Sequence, residues 1–270
     1  MICASCGVLV GVADATCYNC GRRNPGLWGF APVLRALGND LGFMPFIVGT
    51  CAVLYVLSLL LSAGQLGQLM SPSNGALYLL GESGALPVYG YGRWWTVLSA
   101  NWLHGNLLHI FFNMLWVRQL VPASADLYGP GRTVIIYTVG GVTGFLLSST
   151  AGAFFPALPF LHGAYFTVGA SAAIFGLLGA VVYYGRRTGS RAATSQAWYY
   201  VIAAGMMGFI MPGVDNYAHL GGFLGGYLTA RVLDPLTHER VDHMIIAVGC
   251  LALSLLSILV SAYSLFPIFG

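Results

Sequence analysis

The sequence contains no lysine: all eleven of its basic residues are arginine. Acidic residues number only eight, so charged side chains make up 7% of the 270 residues, against roughly 25% in an ordinary soluble domain. That scarcity excludes a soluble globular chain, which could not cover its surface. With 57% hydrophobic residues and a mean hydropathy of +0.77, the bilayer must be the main solvent. The net charge of +3 is too small, and the arginines too scattered, for a nucleic-acid partner. The opening MICASCGVLV lacks a basic n-region and so does not read as a secretory signal.

What is present is a series of apolar windows of the length that spans a membrane. Seven are expected, at 44–66, 101–121, 132–153, 170–185, 197–212, 216–234 and 244–266. The fourth and fifth are short for a crossing of roughly 30 Å. The connection 67–98, with Pro72, Pro87 and the Trp94-Trp95 pair, is too long for a plain linker and is expected to have structure of its own.

Arginine placement orients the chain. With the N-terminus in the cytoplasm, ten of the eleven arginines fall on the inner side, Arg93 being the exception. Seven spans then leave the N-terminus inside and the C-terminus outside. Spans two, four and six all begin at the outer face, so residues near their starts share one depth. The polar residues gather there: His104, His109 and Asn113 on the second, Ser171 on the fourth, Asn216 and His219 on the sixth.

Ionisable groups inside a membrane are costly and mark function by default. No metal pattern fits these histidines, which have no carboxylate or thiolate at their level. Ser171 and His219 can form a nucleophile–base pair, since a serine hydroxyl attacks only when an adjacent imidazole takes its proton. At the start of a helix, Ser171 also lies near free backbone N–H groups that favour an oxyanion. His109 and Asn113, four residues apart, share a helix face and can donate to one oxygen. Asp215 lies one turn from His219 toward the interface, so a dyad is expected rather than a triad. Gly222 and Gly226, on the face of His219, permit close helix approach. Phe175, one turn after Ser171, can pack on the imidazole.

NWLHGNLLHIFFNMLW, VGASAAIFGLLGA and NYAHLGGFLGGY together resemble the rhomboid intramembrane serine proteases. The resemblance covers roughly 43–235 in order. It implies an all-α polytopic membrane protein with a rhomboid-like six-helix core over 44–235 and an additional C-terminal transmembrane helix within 236–270. By it, Ser171 is the nucleophile of the Gly169-Ala170-Ser171 motif and His219 the general base. His109 and Asn113 line the oxyanion site, and His104 is structural. Substrates would be transmembrane proteins cut in or near their spans, with no cofactor for the chemistry. The expected location is multi-pass in a bacterial inner (plasma) membrane. Two departures stand out. Ala172 replaces the usual glycine after the serine, and Arg93 precedes the tryptophans where the family commonly has an arginine after them. A catalytically inactive relative that binds membrane segments is the alternative. A transporter would continue its polar residues toward the inner side, which these spans do not.

The remaining signal is Cys3-x-x-Cys6 and Cys17-x-x-Cys20, each pair followed by glycine. Two such knuckles give four thiolates for one tetrahedral ion. The predicted cytoplasmic side disfavours disulfides, so residues 1–25 read as a zinc-ribbon-like domain folded around structural zinc. A cytoplasmic partner for it is conceivable, but nothing in the sequence names one. Residues 26–43 read as a linker, and the isolated Cys51 and Cys250 as packing residues.

Overall fold

The computed structural model describes residues 2, 3, 5–11, 14–25, 37–62, 70–155, 162–210 and 213–269. Most of the expected linker, the end of the first expected span and the last two residues of the fifth lie outside the described residues. The chain divides into two compact units, 1–42 and 43–270.

The first unit is built from two knuckles with one hydrogen-bond pattern. Cys3 accepts from Gly7 N–H at 2.9 Å and donates to Val8 O at 2.8 Å; Cys17 accepts from Gly21 N–H and donates to Arg22 O, both at 2.9 Å. Gly7 and Gly21 each take φ +71°, the left-handed backbone that a side chain resists. Isolated bridges Ile2–Leu9 and Thr16–Arg23 close the two turns.

The second unit is helical, with no strand among its described residues. In chain order the helices are α1 Phe43–Leu61, α2 Asn74–Leu80, α3 Thr96–Ser99, α4 Leu107–Tyr128, α5 Pro130–Phe154, α6 Ser171–Thr188, α7 Arg191–Ile210, α8 Asn216–Val232 and α9 Val241–Phe269. Seven of these correspond to the seven expected spans. The ends differ where capping decides them. α4 starts at Leu107 because the Asn106 side chain accepts from His109 N–H at 2.8 Å, and it continues through Pro122. His104 therefore precedes this helix, contrary to its expected place on it. α7 starts at Arg191 rather than 197, and its 20 residues rise about 30 Å, enough for a full crossing.

α6 sits at the centre, packed against α4, α5, α7 and α8. Glycines allow this. A Cβ on Gly140 of α5 would lie 2.8 Å from the Gly176 Cα of α6, and a Cβ on Gly226 of α8 would run into the Gly176 backbone. Outward faces are apolar: Val53 and Leu60 on α1, and Ile245, Leu253 and Leu259 on α9, are all exposed, a pattern suited to lipid rather than water. Among the described residues, Phe43–Leu61, Pro130–Phe154 and Val241–Ser264 are by length and composition alone long and apolar enough to cross a membrane. Of the other four long helices, α8 has 17 residues, and α4, α6 and α7 carry polar residues that lower their hydropathy.

The connection between α1 and α4 is ordered, with α2, a π-type turn over Leu86–Gly90, and α3. Arg93 is buried within it and donates to Tyr78 O at 3.0 Å and to Ser261 O of α9 at 3.4 Å. Its guanidinium lies 4.3 Å from the Tyr78 ring centroid, and Trp95 Nε1 donates to Ser261 Oγ at 2.9 Å. The guanidinium thus anchors this loop from before the tryptophans. At the opposite end of α9, buried Arg132 uses all five of its donors. They go to Asp234 O, to Thr237 O and Oγ1, to His238 O and to His243 Nδ1.

Candidate active site

Ser171 is the first residue of α6, and the residue before it offers no side-chain cap. The first N–H groups of α6 are therefore left unmatched at the hydroxyl, as at any uncapped helix start. His219 stands one turn into α8, whose start is fixed by Asp215. The Asp215 carboxylate accepts from Ala218 N–H at 3.0 Å and from the Ser148 hydroxyl. Close α6–α8 packing brings His219 Nε2 to 2.9 Å from Ser171 Oγ. The imidazole stacks on Phe175, ring centroids 4.2 Å apart and planes within 13°. Its Nδ1 has no hydrogen-bond partner among the described residues. Asp215 is used elsewhere, and among the described residues no carboxylate meets the imidazole.

Ala172 follows the serine without strain. Its φ is not positive, unlike those of Asn24, Leu41 and Met70. Space for its methyl group comes from Gly144 of α5, where a Cβ would sit 2.7 Å from the Ala172 Cβ. The position that needs glycine is Gly169, with φ +134° and a Cβ position only 2.6 Å from His109 Nε2.

His109 lies on the first turn of α4 and turns its Nε2 toward Gly169. Its Nδ1 accepts from Gly105 N–H at 3.4 Å, an arrangement that leaves the ring proton on Nε2. Asn113, one turn on, is buried and spends one Nδ2 hydrogen on His109 O at 2.9 Å. The second hydrogen remains for a ligand. Buried His104 meets His109 edge to face at 5.2 Å and stands behind it. A cavity of about 980 Å³ joins these groups, lined among others by Ser171, His219, His109, Asn113 and Phe175. Sequence reasoning missed Asp215 as the cap of α8 and Asn106 as the cap of α4. Both were legible as Asp and Asn directly before apolar helical runs.

Apart from this site, Cys3, Cys6, Cys17 and Cys20 place their Sγ atoms within 4.8 Å of one another, with Cys3–Cys20 at 3.8 Å and Cys6–Cys17 at 3.6 Å. Four sulfurs about 2.3 Å from a tetrahedral zinc lie about 3.8 Å apart, so the donor set fits that ion.

Helices with apolar outer faces, enclosing a cavity at which a serine and a histidine meet, define a polytopic helical membrane protein. Residues 91–235 match the Rhomboid domain, more than half of the sequence, and the chain belongs to the rhomboid family. It is 33% identical over 145 residues to Rhomboid protease GluP of Bacillus subtilis (strain 168), covering 53% of this chain and 26% of that protein. It is 32% identical over 169 residues to RHOMBOID-like protein 4 of Arabidopsis thaliana, covering 61% and 40%. It is also 33% identical over 165 residues to Rhomboid-like protease 5 of Toxoplasma gondii, covering 58% and 18%. The matched regions thus span less than half the length of each of these relatives. They support an integral membrane location and an intramembrane protease-like role.

Proposed function

We propose that the chain is an intramembrane serine endopeptidase that hydrolyses peptide bonds in or near the transmembrane segments of membrane-protein substrates. The observation that carries this reading is the 2.9 Å approach of His219 Nε2 to Ser171 Oγ at a cavity enclosed among helices with apolar outer faces. Ser171 attacks the scissile carbonyl while His219 takes its proton, and His219 then returns that proton to the leaving amine. The acyl-enzyme is released by water, with His219 again acting as base. Negative charge on the tetrahedral oxygen is met by the Ser171 N–H, by His109 Nε2–H and by the free Asn113 Nδ2 hydrogen. Phe175 holds the imidazole by its face, a positioning role that leaves Nδ1 without need of a carboxylate. Gly222 and Gly226 let α8 approach α6 closely enough for the pair to form.

Zinc is the ion we assign to Cys3, Cys6, Cys17 and Cys20, where it would supply folding energy to a unit too small for a core. It takes no part in the hydrolysis. Within the membrane, the arginine pattern is the argument for an N-terminus inside and a C-terminus outside. Reporter fusions at the two ends test the orientation.

The test of the activity is a purified single-span reporter. Wild-type protein cleaves it and is labelled by a fluorophosphonate probe, whereas Ser171→Ala does neither. Equal processing by both forms, or no cleavage of several reporters by wild type, removes the protease reading. Zinc at about one equivalent in freshly purified protein supports the ribbon assignment; its absence removes it.

A further inference from the structure

One acidic side chain in the cavity wall has no part in the dyad chemistry. Glu82 is 6% exposed and lines the same cavity as Ser171 and His219. Its backbone is held on both sides. Behind the left-handed Gly81, Glu82 N–H donates to Leu77 O at 3.0 Å, while Ser83 exchanges both backbone hydrogen bonds with Thr167, at 3.1 and 2.8 Å. Ala85 N–H then donates to Ala164 O at 2.9 Å. The carboxylate is thus carried on the seam between the first loop and the segment leading into Ser171.

Among the described residues nothing answers this carboxylate. Both ion pairs found there lie elsewhere, Arg187–Asp234 and Arg240–Asp242. No side chain or backbone N–H donates to it, the cavity lining contains no arginine, and the chain has no lysine. Arg93 is committed to Tyr78 O and Ser261 O. The other acid of the lining, Asp215, is already satisfied by Ala218 and Ser148. A buried carboxylate without a partner is costly to keep, and one that lines a cavity is placed to meet a ligand.

We propose that Glu82 is a specificity-determining residue that recognises a lysine or arginine side chain on the membrane segment occupying this cavity, and disfavours an acidic one. That this segment is a substrate rests on the protease reading; the recognition itself requires only binding. A cationic side chain would gain a charge-assisted bond and remove the cost of the unpaired carboxylate together. An apolar side chain gains neither, and a carboxylate adds repulsion.

The experiment measures binding in the Ser171→Ala background, so that no turnover interferes. Labelled single-span peptides, identical except for one lysine, leucine or aspartate moved through the outer third of the span, are titrated in detergent micelles and followed by anisotropy. At one position lysine should bind about tenfold more tightly than leucine, the scale set by one hydrogen bond to a charged group, and aspartate more weakly. Adding Glu82→Gln should erase that order. Should the Gln form fail to fold, Glu82→Asp carries the test: its charge sits one methylene back, so the advantage should shrink severalfold yet persist. The proposal is overturned if lysine nowhere outbinds leucine, if Glu82→Gln keeps the lysine advantage, or if Glu82→Asp leaves its size unaltered. Intact lysine preference without cleavage by the wild type would remove the protease reading and leave this inference standing.

Discussion

Substituting Gly222 by alanine tests the link between helix packing and chemistry most directly. A methyl group there would run first into the carbonyl oxygen of Ala172 and would stand 2.9 Å from its carbonyl carbon, whereas carbon atoms pack at roughly 3.5–4.0 Å. The carbon contact alone requires α6 and α8 to part by about 0.6–1.1 Å, and the oxygen requires no less. Ala172 adjoins Ser171 and Gly222 lies one turn after His219, so the separation falls on the 2.9 Å pair itself. It carries the nucleophile and base to about 3.5–4.0 Å, beyond hydrogen-bond length. A misplacement of that size costs on the order of 100-fold in rate, and overpacking costs about 1–3 kcal/mol of stability. The assay is single-span reporter cleavage with fluorophosphonate labelling, alongside thermal unfolding in detergent. Gly249→Ala on α9 is the control, because a Cβ there meets nothing within 4 Å and alanine favours a helix over glycine by about 1 kcal/mol. The reasoning is refuted if Gly222→Ala cleaves at the wild-type rate, or if Gly249→Ala loses as much.

Other outcomes follow from the same geometry. His109→Ala should lower kcat by about 10²–10³-fold, the usual loss of one oxyanion donor, while reporter binding stays nearly constant; a KM effect alone would contradict the role. Asp215→Ala removes the cap of α8 and the partner of Ser148, so a melting experiment should register a loss of about 1–2 kcal/mol. Arg132→Met leaves the carbonyls of Asp234, Thr237 and His238 without their charged donor and should cost about 3 kcal/mol, again read by thermal unfolding. Chelation or Cys6→Ser should release zinc and open residues 1–25 to protease, measured by metal content and mass spectrometry of the fragments.

The architecture was legible because its signals are long. Apolar windows and the arginine distribution survive errors of several residues, and seven long helices lie where seven windows were read. Ends were less legible where a local bond outweighs hydropathy. Asn106 delays α4 and so detaches His104 from it, while the polar opening of α7 from Arg191 to Gln196 hid a full turn and more of helix. The meeting of Ser171 with His219 could be expected from shared depth, since depth follows from topology. What stands behind Ala172 could not. The compensating Gly144 is on a different helix, and only packing connects the two. Glu82 escaped notice for the opposite reason: one acid in a loop resembles ordinary solvated punctuation until the fold buries it.

The five bonds of Arg132 bear on where this molecule can be said to end. The matched domain stops at residue 235, and a polypeptide cut there would still possess serine, histidine and cavity. It would also expose a guanidinium stripped of Thr237, His238 and His243 at one end, and at the other a first loop without the Ser261 that Arg93 and Trp95 hold. Helix α9 touches none of the reacting atoms, yet it is riveted at both of its ends to the parts that surround them. Trimming the chain to its recognisable domain would therefore remove the frame in which the site is mounted.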